Sequence, residues 1–129
     1  MAFGTATVLS NGGKAITANR VKGTGTEPAY LAVGTGATGA ARTAVAADTA
    51  LSTAMGSRVL GTSSVVTTTA TNDTYQVVGT CTAAGAAAVD EAGLFDAITA
   101  GNMFLSATFP VVNLATGDSI QATLKVAYA

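Results

Sequence analysis

Alternation of apolar and polar side chains near the C-terminus is the feature that most constrains the fold. In residues 119–128, SIQATLKVAY, one set of alternate positions is apolar: Ile120, Ala122, Leu124, Val126 and Tyr128. The positions between them are polar: Gln121, Thr123 and Lys125. A period of two residues matches a β-strand, because successive side chains of a strand point to opposite faces. The segment therefore predicts a half-buried strand.

The same period recurs upstream. Residues 103–109, MFLSATF, predict a second half-buried strand with one apolar side: Met103, Leu105, Ala107 and Phe109. Residues 63–70 and 74–81 are β-branched runs joined across TND, and they predict a hairpin with Tyr75, Val77, Gly79 and Cys81 on one face. Residues 29–33 predict a buried strand. Residues 110–118, which contain Pro110 and Gly117, predict a connecting loop.

One helix is expected near the N-terminus. Asn11 is a suitable N-cap, Arg20 and Lys22 would lie in the last turn, and Gly23 would end the helix. Elsewhere abundant Thr disfavours long helices, because two substituents on Cβ restrict χ1. The sequence therefore predicts an all-β fold, a β-sandwich or jelly roll with one short N-terminal helix, in a single domain over residues 1–129.

Three glycines raise the question of a nucleotide-binding turn. Gly34, Gly36 and Gly39 have the G-x-G-x-x-G spacing and follow a short apolar run. Dinucleotide binding also needs a helix, a parallel strand and an acidic residue to hold the ribose. Residues 40–55 could be partly helical, but Asp48 falls on the would-be apolar face, and RVL at 58–60 has no acid after it. We expect a loop that leaves a buried strand, and no cofactor.

Asp90, Glu91 and Asp96 form the only dense group of carboxylates. They are candidates for glycoside hydrolysis or for a calcium site. Adjacent acids point to opposite faces of a strand, and no further acids lie nearby to complete a calcium site with six or more oxygen ligands. We favour a turn in which these acids cap backbone N–H groups around buried Leu94 and Phe95.

The remaining composition argues against several function classes. The chain has no His, and its 6 basic and 7 acidic residues give a net charge of −1, so catalysis by His and binding of nucleic acid are not expected. The single Cys81 is expected to be a buried apolar residue, and no spacing of Lys14, Lys22 or Lys125 supports Ser–Lys chemistry. No run of about 20 residues is apolar enough to span a membrane, and no secretory signal is visible. We predict that the protein is not an enzyme and holds no metal.

Four segments carry a resemblance to a known group of proteins: GKAITANRVKGTGTEPAYLAVGTGA (13–37), TTTATNDTYQVVGT (67–80), EAGLFDA (91–97) and GDSIQATLKV (117–126). Together, and in this order, they resemble small virion proteins of tailed bacteriophages, of the capsid decoration or cement type. The resemblance implies a β-sandwich subunit, commonly a homotrimer, that binds the major capsid protein without catalysis. It also implies synthesis in the host cytoplasm and a location on the outer surface of the phage capsid.

Two points stay open from the sequence. The alternative function is a tail-fibre or baseplate module, which shares the expected fold. Residues 1–10 would form an N-terminal arm, whose apolar residues Phe3, Val8 and Leu9 are our candidates for partner contact. The arm would contact a partner subunit or the capsid, or else pack on its own domain.

Overall fold

The computed structural model describes residues 7–36 and 43–128, which form one helix and eight strands. In chain order these elements are β1 (Thr7–Leu9), α1 (Asn11–Lys22), β2 (Tyr30–Gly34), β3 (Val59–Leu60), β4 (Thr62–Val66), β5 (Thr74–Thr82), β6 (Ala87–Phe95), β7 (Met103–Leu114) and β8 (Ser119–Ala127). The predicted all-β fold with one short N-terminal helix is confirmed.

The strands form two antiparallel sheets that enclose the main core. One sheet has five strands in the order β1-β7-β6-β2-β3, and the other has three in the order β4-β5-β8. The fully buried side chains between them come from both sheets: Leu31, Val77, Val89, Leu94, Leu105 and Leu124. Burial of apolar area on this scale is the main favourable contribution to folding. The architecture is that of a β-sandwich.

The helix has the predicted bounds but a different cap. Ser10 is the N-cap, and its Oγ accepts a hydrogen bond from Gly13 N at 2.9 Å and donates one to Met103 O at 2.5 Å. Asn11, the predicted cap, is the first helical residue. The hydroxyl of Ser10 therefore satisfies a free N–H at the helix start and also joins the helix to β7. Gly23 ends the helix in the left-handed conformation, as expected.

Two segments predicted as a turn and a loop are strands. Asp90 and Glu91 lie within β6, and β7 runs through Pro110 to Leu114, so the turn comes only at residues 115–118. The register of β6 and β7 shifts there: Val89 faces Val112, but Glu91 faces Thr108. Pro110 thus lies in a bulge, where its missing N–H costs no regular ladder hydrogen bond.

Both faces of β7 are buried in its first half, so the prediction of a half-buried strand was wrong there. Leu105 and Ala107 face the main core, whereas Met103 packs on the outer face with Phe95 and Ala32. A register shift beside Phe95 separates Met103 from the predicted apolar side. Part of the outer face is covered by the segment between β2 and β3, which contributes Leu51.

β3 and β4 are consecutive strands that belong to different sheets, and Gly61 is the single residue between them. A Cβ atom on Gly61 would lie 2.4 Å from Val77 Cγ1 and 2.9 Å from Val78 O. The Gly61 N–H donates to Ala29 O at 2.8 Å. Only glycine fits where the chain crosses between sheets this closely.

Among the described residues, no helix is long and apolar enough to cross a membrane.

We expect Gly61→Ala to lower the free energy of unfolding by about 1–3 kcal/mol, because the methyl group overpacks against Val77 and the Val78 carbonyl. Urea denaturation measures the change. Gly85→Ala is the matched control, since a Cβ there meets nothing within 4 Å, and its effect should stay within about 1 kcal/mol. Equal effects of the two substitutions would contradict this account of the crossing.

Candidate functional site

The side chain of Glu91 is fully buried and accepts hydrogen bonds from three backbone N–H groups. Its Oε1 accepts from Thr53 N at 2.9 Å and from Gly36 N at 3.3 Å, and its Oε2 accepts from Ser52 N at 3.2 Å. Hydrogen bonds to an ionised acceptor are stronger than neutral ones and offset part of the cost of burying the charge. Glu91 therefore joins β6 to the loop after β2 and to residues 52–53.

Gly34 and Gly36 let these segments approach the carboxylate. A Cβ on Gly34 would lie 2.6 Å from Glu91 Oε1 and 2.4 Å from Thr53 O, and one on Gly36 would lie 2.5 Å from Ser52 Cβ. Thr35 N also donates to Thr53 O at 2.8 Å. The two glycines are needed for close packing between two stretches of backbone.

The described part of the glycine motif has the geometry of a loop, as predicted, and not that of a dinucleotide turn. Gly34 ends β2, and the N–H of Gly36 is directed at the chain's own carboxylate. Gly39 lies outside the described residues. The next strand, β3, runs antiparallel to β2, and residues 43–56 contain no helix. Asp48 accepts a hydrogen bond from Ser106 Oγ at 2.7 Å instead of facing a helix.

The three carboxylates do not form one site. Asp96 accepts a hydrogen bond from Asn102 N at 2.6 Å and closes the turn between β6 and β7. Asp90 is buried beside Glu91 in the same strand. Within residues 7–36 and 43–128, no three His, Cys, Asp or Glu side chains could hold a metal ion. The predicted turn was wrong, but Glu91 and Asp96 do accept backbone N–H groups, and Leu94 and Phe95 are buried.

Arg58 is a residue whose role the sequence did not reveal. Its guanidinium lies 3.6 Å from the centroid of the Phe95 ring, and its Nη1 donates to Ala97 O at 2.7 Å and Ala100 O at 2.6 Å. Partial burial lowers the pKa of Arg58, and the charge of Asp96 opposes that shift. Arg58 thus stabilises the turn after β6. A lone basic residue next to a short apolar run gave no signal of this contact.

A groove of about 340 Å³ lies between α1 and the two sheets. Its lining is mostly apolar: Ile16, Val21, Pro28, Tyr75, Phe104 and Tyr128. The rings of Tyr75 and Phe104 meet edge to face, with centroids 5.9 Å apart. Tyr128, predicted on the apolar face of β8, follows the end of that strand and is half exposed at the groove.

The hydroxyl groups in the groove hydrogen-bond to neighbouring groups of the same chain. The single proton of the Tyr75 hydroxyl is within reach of two acceptors, Pro28 O at 2.9 Å and Glu27 Oε1 at 3.1 Å, while the hydroxyls of Thr17 and Tyr128 are 3.1 Å apart. Burial and the charge of Glu27 raise the pKa of Tyr75, so its hydroxyl stays protonated and donates. The groove therefore offers apolar contact surface rather than an activated nucleophile.

The candidate contact residues lie in different environments. Phe3 is outside the described residues. Val8 and Leu9 belong to β1, where they pair with Ser106 and Leu105 of β7, and Leu9 packs against the main core. Cys81 is buried, and desolvation raises the pKa of its thiol, as fits the predicted apolar role.

Comparisons of the chain with protein-family models, with curated protein sequences and with solved structures gave no match.

We expect Glu91→Gln to lower the free energy of unfolding by about 2–3 kcal/mol, because an amide N–H₂ would face a backbone donor and the remaining bonds would lose their charge. Chemical denaturation tests this. Glu27→Gln is the control: Glu27 is exposed, and the amide oxygen that replaces its carboxylate can still accept the bond from the Tyr75 hydroxyl, so stability should change by no more than about 0.5 kcal/mol. A Glu91→Gln variant as stable as the control would show that the three N–H contacts contribute little.

Proposed function

We propose that this protein is a structural component of a tailed-bacteriophage virion, a capsid decoration or cement protein that binds the major capsid protein on the outer surface of the head. One observation carries the proposal beyond the sequence resemblance. The charged groups best suited to chemistry serve the fold itself, while large apolar side chains are exposed: Val21, Val45, Leu60, Val65, Ile98, Val111 and Tyr128.

This distribution suits a protein whose product is a contact surface. Exposed apolar residues gain free energy when a partner covers them, and a fold of low charge depends little on ion pairs for binding. On a capsid lattice, many copies that each bind weakly gain avidity when they also contact one another. The partners proposed are therefore the major capsid protein and further copies of this chain, for which the resemblance implies a trimer.

Copy number tests the proposal directly. In purified particles, quantitative gel densitometry should give a ratio to the major capsid protein on the order of one to one, as expected of a lattice decoration protein. The chain should also detach from emptied heads and bind to them again when it is added back, while the tails stay attached. A few tens of copies per particle, retained on isolated tails, would instead support the tail-fibre or baseplate alternative.

Substitutions of Phe3 and Leu9 are expected to distinguish an effect on binding from an effect on folding. We propose that Phe3 contacts the partner, so Phe3→Ala should weaken binding to emptied heads about tenfold or more, as fits a lost aromatic burial of about 1.5–3 kcal/mol, with unchanged thermal unfolding. Leu9→Ala should instead lower thermal stability, because Leu9 packs on the core. If Phe3→Ala binds heads as the unchanged chain does, residue 3 has no role in binding.

A further inference from the structure

One side of the sandwich ends in β3 and β4, the consecutive strands joined at Gly61. β4 pairs with β5 along its inner edge over its full length, with no register shift. No strand of the described chain pairs with its outer edge. Since alternate N–H and C=O groups of an edge strand point outward, β4 presents a regular row of backbone donors and acceptors.

The β4 edge lacks the features that usually prevent strands from pairing between molecules. Residues 59–72, VLGTSSVVTTTATN, contain no charged residue and no proline, and β4 has no bulge. The other edge strand of the same sheet, β8, carries Lys125, which is exposed. Lysine on an edge strand opposes pairing with a second sheet. Of these two edges, β4 is the one open to association.

Val65 shows that the inner face of the sheet is also uncovered at this edge. It lies directly opposite Tyr75 in the register with β5, so the two side chains share a face. Yet Val65 is 59% exposed, while Val77 on the same face is fully buried. The five-stranded sheet ends on this side at β3, which has only two residues, so it does not cover Val65.

We propose that β4 pairs with β4 of a second copy, antiparallel and about a two-fold axis at Ser64. Thr62 would then face Val66 of the second copy, and Ser63 would face Val65 of the second copy. The two three-stranded sheets would become one six-stranded sheet. A single two-fold rotation places the outward N–H and C=O groups of each β4 opposite those of the other copy, which is the property of an isologous contact. Each Val65 is covered by the inner face of the other copy.

A second copy fits this edge better than a charged or proline-containing segment. The five residues of β4 overlap fully with themselves, and no like charges meet in the pair. The contact is independent of the capsid proposal and would hold equally in a tail protein. It is separate from the three-fold association that the resemblance implies, because a three-fold contact joins two different surfaces.

Disulfide cross-linking tests the register. Residues opposite each other across an antiparallel pair have Cα atoms about 4.5–5.5 Å apart, which lies within the range of a disulfide. Ser64→Cys should therefore give a covalent dimer under mild oxidation at micromolar concentration. The unchanged chain controls for Cys81, and Gln121→Cys controls for chance collisions because it is exposed on β8. Dimer from neither control is expected. Equal cross-linking of Ser64→Cys and Gln121→Cys would overturn the proposal.

Light scattering gives the second test. The unchanged chain should have a mass that is an even multiple of the chain mass, and Val65→Lys or Ser64→Lys should halve it, with a dissociation constant raised at least tenfold. Gln121→Lys, at an exposed polar residue of β8, should leave the mass unchanged. A monomer or a trimer for the unchanged chain would overturn the proposal, as would a folded Val65→Lys variant with unaltered mass. Neither result changes the copy number expected from gel densitometry of particles, so the capsid proposal is tested separately.

Discussion

The outer face of the larger sheet depends on one buried carboxylate. β6 is the middle strand of that sheet, and Glu91 projects from it toward three backbone N–H groups of distant segments. These bonds hold the chain between β2 and β3 against the sheet, so that Leu51 can cover Phe95 and Met103 and Arg58 can reach the Phe95 ring. Removing these three hydrogen bonds from a buried charge is expected to cost several kcal/mol.

The small number of charged side chains also bears on the contacts that the molecular surface can make. Asp48, Glu91 and Asp96 accept hydrogen bonds from the chain itself and so stabilise loops. The surface contacts proposed above depend on apolar side chains and on backbone edges. A protein of this kind is expected to associate through shape and strand pairing, with little dependence on salt.

Local signals in the sequence predicted much of the fold, and contacts between distant residues explain the rest. The helix over 11–22, the pairing of β4 with β5 and the strand β8 follow from capping residues and alternation, which act within a few residues. The first strand of the hairpin ends at Val66, however, and not at residue 70 as predicted. β6 and the second half of β7 were not predicted, because acidic residues and a proline disfavour strands. In the structure Glu91 is buried within β6, and Pro110 lies in a bulge of β7. For the candidate site, the glycine loop and the carboxylates were each identified, but their meeting was not. Gly36 and Glu91 are separated by 55 positions, and no periodicity links them.

Gly61, between β3 and β4, also limits where the sequence can gain or lose residues. Gly61 sets the phase of alternation on both sides of the crossing, so a single residue inserted there would turn every side chain of β4 to the opposite face or force a new bulge. The loop at residues 67–73 is under no such constraint, because a hairpin loop can change length while the ladder of β4 and β5 stays in place. Among descendants of this chain, length variation should therefore accumulate in that loop and be absent at Gly61.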